Sequence, residues 1–105
     1  MSSRTMDLGQ KQREEARWRI LRILDAGRPI GVSEEIILRV LDDVRLPIGP
    51  AGVRRELDYL GDLSLAEVEQ DEDGLWWAKL TASGVDLVEY TAPAPPGVAR
   101  PRRYW

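Results

Sequence analysis

Five carboxylates fall within seven residues of this chain, Glu67, Glu69, Asp71, Glu72 and Asp73. Their first suggestion is a divalent cation held by oxygen. Calcium sites take about six to eight oxygens from ligands at set offsets, and the spacing of a calcium-binding helix–loop–helix is absent. The run reads as a solvated acidic surface, and no metal is expected. Glu34 and Glu35 resemble an acid–base pair, but they follow Ser33, a good helix cap, where a first turn favours acids. The chain has no His and no Cys. It therefore lacks the side chain that ordinarily moves protons near neutral pH, and it has no thiolate nucleophile or ligand. Ser33, Ser64 and Ser83 have no recognisable activating partner. Gly49-Pro-Ala-Gly52 lacks the Lys-Ser/Thr that completes a phosphate loop. Neither catalysis nor a cofactor is expected, which leaves binding.

The side chains best suited to binding sit on one helix. Arg54 and Arg55 can hold phosphate or read a guanine edge. Ala51 and Gly52, small and at the helix start, allow close backbone approach, and Tyr59 shares the outward face with Asp58 and Asp62. Asp58 lies four residues after Arg54 and three after Arg55, so an ion pair within the helix is the alternative use of these arginines.

The elements that must position these residues follow from periodicity. A first helix is expected from about Gln10 to Ala26, stopped by Gly27 and Pro29, with Ala16, Ile20, Ile23 and Leu24 on its core stripe. Trp18 points roughly the opposite way and Leu21 sits at the edge. Ser33 caps a second helix over about 34–44, buried through Ile36, Ile37, Val40, Leu41 and Val44. Pro50 opens the third, whose Val53, Leu57 and Leu60 face inward. A hairpin then runs over 65–70 and 75–80 around Asp71-Glu-Asp-Gly74, a strong turn signal. Val68, Trp76 and Leu80 belong to the core. Thr81 caps a fourth helix with Val85 and Val88 inward, and Gly84 permits close packing. The expected organisation is a leader over 1–9, one domain over 10–91 and an extended Pro/Arg-rich tail over 92–105.

At 105 residues the chain can bury a single core, and 43% apolar with 31% charged residues is an ordinary globular balance. The absence of Cys gives no sign of export, the first residues form no apolar signal segment, and no apolar run reaches membrane-spanning length. A cytoplasmic location with no membrane association is expected. The net charge of −3 is unevenly spread: residues 1–30 carry +3, 31–61 carry −2, 62–91 carry −7 and 92–105 carry +3 from Arg100, Arg102 and Arg103. Proteins that bind nucleic acid are usually basic, because neutralising phosphates supplies much of their affinity.

The order of helix, helix, helix, strand, turn, strand and helix is the layout of a winged helix-turn-helix module, an α+β fold that is mainly α. The run Val53-Arg-Arg-Glu-Leu57-Asp-Tyr-Leu60, the acidic hairpin and Trp76-Trp-Ala-Lys-Leu-Thr-Ala-Ser-Gly84 resemble the winged-helix superfamily of transcription regulators. With the Pro96-Gly-Val-Ala-Arg-Pro101 tail, residues 10 to 101 resemble more closely small winged-helix proteins of Mu-like prophages. The resemblance implies a homodimer that regulates transcription by reading double-stranded DNA with its third helix. That role would fall on Ala51, Gly52, Arg54, Arg55 and Tyr59. The wing departs from the pattern: Glu67 to Asp73 stand where basic residues would touch the DNA backbone. The alternative is a protein-interaction module whose acidic wing faces a basic partner. Arg100, Arg102 and Arg103 are candidate tail contacts, and Trp18, Leu21, Tyr104 and Trp105 a candidate dimer interface.

Overall fold

A computed structural model describes residues 7–103. In chain order the elements are α1 (Leu8–Ala26), β1 (Val32–Ser33), α2 (Glu34–Asp43), α3 (Gly49–Asp62), β2 (Ala66–Gln70), β3 (Trp76–Leu80) and α4 (Ala82–Val88). The architecture is α+β and mainly helical, with four helices and a three-stranded antiparallel sheet in the order β1-β3-β2. No described helix is long and apolar enough to cross a membrane.

α1 begins two residues earlier than its periodicity suggested, because Asp7 caps it by accepting the Gln10 amide at 3.0 Å. Residues 8 and 9 therefore belong to the domain rather than to a leader, and residues 1–6 of that segment lie outside the described residues. The expected caps of α2 and α4 form as well: Ser33 accepts the Ile36 amide at 3.3 Å and Thr81 accepts the Gly84 amide at 3.0 Å. Helices α2, α3 and α4 end without glycine. Arg45, Ser64 and Tyr90 each follow the last turn with φ near +60°. Each ending carries the paired reverse hydrogen bonds of a Schellman motif, such as Leu65 N–H to Leu60 C=O at 2.9 Å and Ser64 N–H to Gly61 C=O at 2.9 Å.

The hairpin forms around the expected turn, with Val68 opposite Ala78, Glu69 opposite Trp77 and Gly74 at φ +84°. The third strand is a finding. Val32 and Ser33 pair with Ala78 and Trp77, a two-residue strand too short to leave an alternating pattern. The core gathers Ile20, Leu21 and Leu24 of α1, Ile37 and Leu41 of α2, and Val53, Leu57 and Leu60 of α3, all fully buried. Val68, Trp76 and Leu80 pack against it partly buried. Leu87, at 1% exposure, contributes more from α4 than Val85 does.

Two expectations are corrected here. Trp18 and Leu21 are not surface residues: Leu21 is fully buried and Trp18 is 4% exposed. Trp18 meets Tyr90 edge to face at 6.3 Å, because α4 and the chain after it cover the flank of α1 that an isolated helix would show to solvent. Ile36 and Val44 are exposed, at 49% and 39%, since α2 turns only its Ile37–Leu41 side inward.

The tail is also not free. Val98 is 5% exposed, the Ala99 amide donates to Glu14 C=O at 3.1 Å, and the Tyr90 hydroxyl donates to Pro101 C=O at 2.8 Å. Residues 97–101 lie along α1 and the end of α4 as a strap.

Candidate functional site

The face formed by α3, the start of α2 and the hairpin turn gathers the residues singled out for binding. Its centre is Glu34, the first residue of α2. The Arg54 guanidinium meets it in a two-pronged contact, Nε to Oε1 at 2.7 Å and Nη2 to Oε2 at 2.8 Å. Glu34 Oε2 also accepts the Trp76 backbone N–H at 2.7 Å, and Arg54 Nη2 donates to Gly74 C=O at 3.0 Å. The guanidinium lies 4.8 Å from the Trp76 ring centre. Charge-assisted bidentate contacts of this type are strong and directional. One arginine thus ties α3, α2 and the wing turn together. The Arg54 hydrogen bonds hold the Glu34 carboxyl below its ordinary range, aided by the Trp76 amide and opposed by burial. Glu34 in turn raises the guanidinium's value, and burial opposes that shift.

Arg55 also has a partner, but not Asp58. Its Nε donates to Glu56 Oε2 at 3.1 Å while its side chain remains more than half exposed. Glu56 is fully buried and receives Arg17 Nε from α1 at 2.7 Å. Arg17 then stacks 3.7 Å from the Tyr59 ring centre and donates to Gly97 C=O at 3.0 Å. A Cβ at Gly97 would collide with the Tyr59 hydroxyl. Tyr59 is therefore covered by the strap. Gly52 is buried too: a Cβ there would come within 2.9 Å of Ile48 Cβ. Its smallness serves packing inside the chain rather than approach to a ligand.

Of the five proposed groove-reading residues, Ala51 and Arg55 are exposed, Arg54 and Tyr59 are half-buried and Gly52 is buried; the Arg54 side chain keeps 43% of its surface exposed although it is paired. Arg54 and Tyr59 carry structural contacts, and Gly52 is covered. The alternative Arg54–Asp58 or Arg55–Asp58 pair does not form: Arg54 is taken by Glu34 of α2 and Arg55 by its neighbour Glu56 on α3. What α3 leaves exposed beside Ala51 and Arg55 is Pro50, Asp58 and Asp62. Next to this face, a cleft of about 560 Å³ opens between the wing turn and the starts of α2 and α3. Leu38, Pro50 and Leu75 give it apolar walls, Glu35, Asp71 and Asp73 give it negative charge, and the paired Arg54 and Glu34 line it as well. Asp71 shapes the turn, accepting the Asp73 and Leu75 amides at 2.9 Å each. Among the described residues no group of acidic side chains is arranged to hold a metal ion.

The tail arginines divide. Arg100 donates to Leu87 and Ala92 C=O at 2.8 Å each and sits 4.3 Å from the Tyr90 ring centre, so it fastens the strap. Arg102 and Arg103 are exposed, with Arg103 5.9 Å from the same ring. Tyr104 and Trp105 lie outside the described residues.

One feature escaped the sequence reading. Glu56 falls three residues after Val53 and four before Leu60, on the apolar stripe of α3. A charge there requires a buried partner, and that was the available signal. Trp77, 38% exposed, lies on the outer face of the hairpin, opposite to Trp76 and Ala78 as alternation along the strand implies. Comparisons with protein-family models, curated proteins and solved structures find no match to this chain.

Proposed function

We propose that this chain is a winged-helix module that binds a protein partner through its acidic wing face and does not read DNA with its third helix. The reading keeps the fold that the Mu-like prophage resemblance implies, together with a cytoplasmic setting, and changes the ligand. The observation that carries it is the Arg54–Glu34 contact. The arginine best placed to reach a base edge is held by a carboxylate, a backbone carbonyl and an indole face, and leaving them would strand Glu34 and loosen the wing. The charge of the face agrees. Asp58, Asp62, Glu67, Glu69, Asp71, Glu72 and Asp73 surround α3 and the hairpin, where a phosphate backbone would meet like charge. The cleft walled by Leu38, Pro50 and Leu75 and edged by Glu35, Asp71 and Asp73 suits a Lys or Arg side chain, with its apolar stem on the walls and its charge at the rim.

The test uses two probes on the full chain: a labelled Arg/Lys-rich peptide and a double-stranded DNA fragment at low salt. Peptide binding is expected, lost on combined reversal of Asp71, Glu72 and Asp73 to Lys and unchanged on reversal of Asp86 and Glu89 on and just after α4. No DNA retention is expected. Retention of DNA that weakens in Arg55→Ala would overturn the reading and restore the regulator. Peptide binding indifferent to wing reversal would also overturn it.

A further inference from the structure

Six large hydrophobic side chains are exposed among the described residues, and three of them, Ile36, Val44 and Trp77, line one groove. Single exposed hydrophobics are ordinary on a soluble surface, whereas a contiguous set marks an interaction site. The groove encloses about 570 Å³ between α1 and α2, with Ile23 and Ala26 on one wall, Ile36, Val40 and Val44 on the other, and Val32 on its floor. Only two charged residues line it, and both are arginines, Arg19 and Arg22. The groove shares no lining residue with the acidic cleft or the Arg54 latch.

We propose that this groove is the contact between two copies of the chain, related by a two-fold axis across its middle. The argument rests on where its charges lie. A seven-residue link (27–33) joins the end of α1 to the start of α2, so Ala26 and Ser33 mark the same end of the groove. Trp77 pairs with Ser33 and stands at that end, and Glu69, opposite Trp77 in the hairpin, extends it with an exposed carboxylate. Arg19 lies seven residues before Ala26, about 10 Å along the helix, with Arg22 between. The apolar strip is thus acidic and aromatic beyond one end and basic toward the other. A two-fold rotation about its centre lays each end on its opposite in the second copy. Arg19 and Arg22 of one copy then meet Trp77 and Glu69 of the other, twice, as ion pair and cation over indole. The Arg19–Glu15 pair within α1 is nearly half exposed on both sides, so it holds Arg19 weakly against this exchange. An acidic helix from a different protein would satisfy the arginines but would meet Glu69 with like charge.

A standard interface buries about 800 Å² per partner. The groove's lining on α1 runs from Arg19 to Ala26, so the contact extends past it onto the outer faces of α2 and the hairpin, where Ile36, Val44 and Trp77 are exposed. The groove shares no lining residue with the wing cleft, although the dimer contact takes Glu69 from the acidic face and Trp77, whose indole N–H donates to Asp71 at 3.4 Å.

Sedimentation equilibrium of the full chain across the micromolar range, with neither DNA nor peptide present, reads the assembly directly. The expected mass at high concentration is twice 11.9 kDa. Ile36→Glu should return it to 11.9 kDa with an unchanged circular dichroism spectrum, since Ile36 is half exposed in the single chain. Arg22→Glu and Glu69→Arg should each raise the dimer Kd about tenfold or more, because each change acts twice in a two-fold dimer. The two together should bring Kd back to within a few-fold of the parent. A mass of 11.9 kDa at every concentration overturns the proposal, as does a dimer indifferent to Ile36→Glu. A double variant no tighter than the singles overturns the two-fold pairing.

Discussion

Glu34 accepts three hydrogen bonds from two other elements, and its titration is the most direct way to see the latch in solution. Its folded value lies below the ordinary 4.5, chiefly through the Arg54 hydrogen bonds. A lowered folded value means that the stabilisation is complete above the unfolded value and is lost as pH falls through the folded one. Chemical denaturation of the parent and of Glu34→Gln should therefore differ most near pH 6, with the parent more stable, and should converge as pH falls through the lowered folded value. A constant difference across that range would mean that Glu34 is not held as a charged acceptor. Arg17 makes a harsher case. Its removal leaves Glu56 fully buried with Arg55 as its remaining cation. Arg17→Met should cost about 3 kcal/mol of unfolding free energy, measured by urea denaturation.

At the scale of elements, helix ends and one helix–strand contact decide the packing. Ser64 holds φ +60° at the end of α3 with an exposed side chain. A left-handed L-residue costs about 1–2 kcal/mol, against about 0.5–1 kcal/mol of extra chain entropy for glycine. Ser64→Gly should therefore stabilise the chain by roughly 0.5–1 kcal/mol, read as a higher urea midpoint at unchanged slope. Gly84 is the opposite situation. Its helical backbone asks nothing special, but a Cβ would collide with the Leu65 carbonyl and come within 2.7 Å of Leu80 Cδ1. Gly84→Ala should destabilise by about 2–3 kcal/mol through forced separation of α4 from the hairpin. Leu57→Ala, at a fully buried position of α3, should cost about 2–5 kcal/mol.

Across the whole molecule, the strap of residues 97–101 changes what the helices present. It covers Tyr59, engages Arg17 and fastens Arg100 beside Tyr90. Val98→Ala should cost about 1–2 kcal/mol through lost apolar burial. Gly97→Ala should lift the strap by steric conflict with Tyr59. Both variants should be cleaved faster by protease within residues 93–103 than the parent, while the hairpin and α2 remain protected. Equal cleavage rates would mean that the strap is not held by these contacts. The charge pattern is also a whole-molecule property. The acidic hairpin and the arginines of α1 and the tail lie in different parts of the fold, so the chain offers two surfaces of opposite character rather than one uniformly acidic one.

Local rules were enough for most of the elements. Ser33, Pro50, Asp-Gly at the turn and Thr81 each act within a few residues, and the apolar stripes of α1 and α3 repeat at helical spacing. For the same reason the hairpin turn and the core positions Val53, Leu57 and Leu60 were legible from sequence alone. The helix ends at Arg45, Ser64 and Tyr90 carried no glycine to announce them, and the two-residue strand β1 carried no alternation. The site was less legible still, because its deciding contacts are long-range. Arg54 pairs with a glutamate 20 residues away rather than with its helical neighbour Asp58. Trp18 is covered by Tyr90, and Tyr59 by a glycine 38 residues downstream. Sequence spacing can show which side chains share a helical face. Which of those faces another segment later covers is decided by tertiary packing, and here it leaves the acidic wing cleft and the α1–α2 groove among the open surfaces.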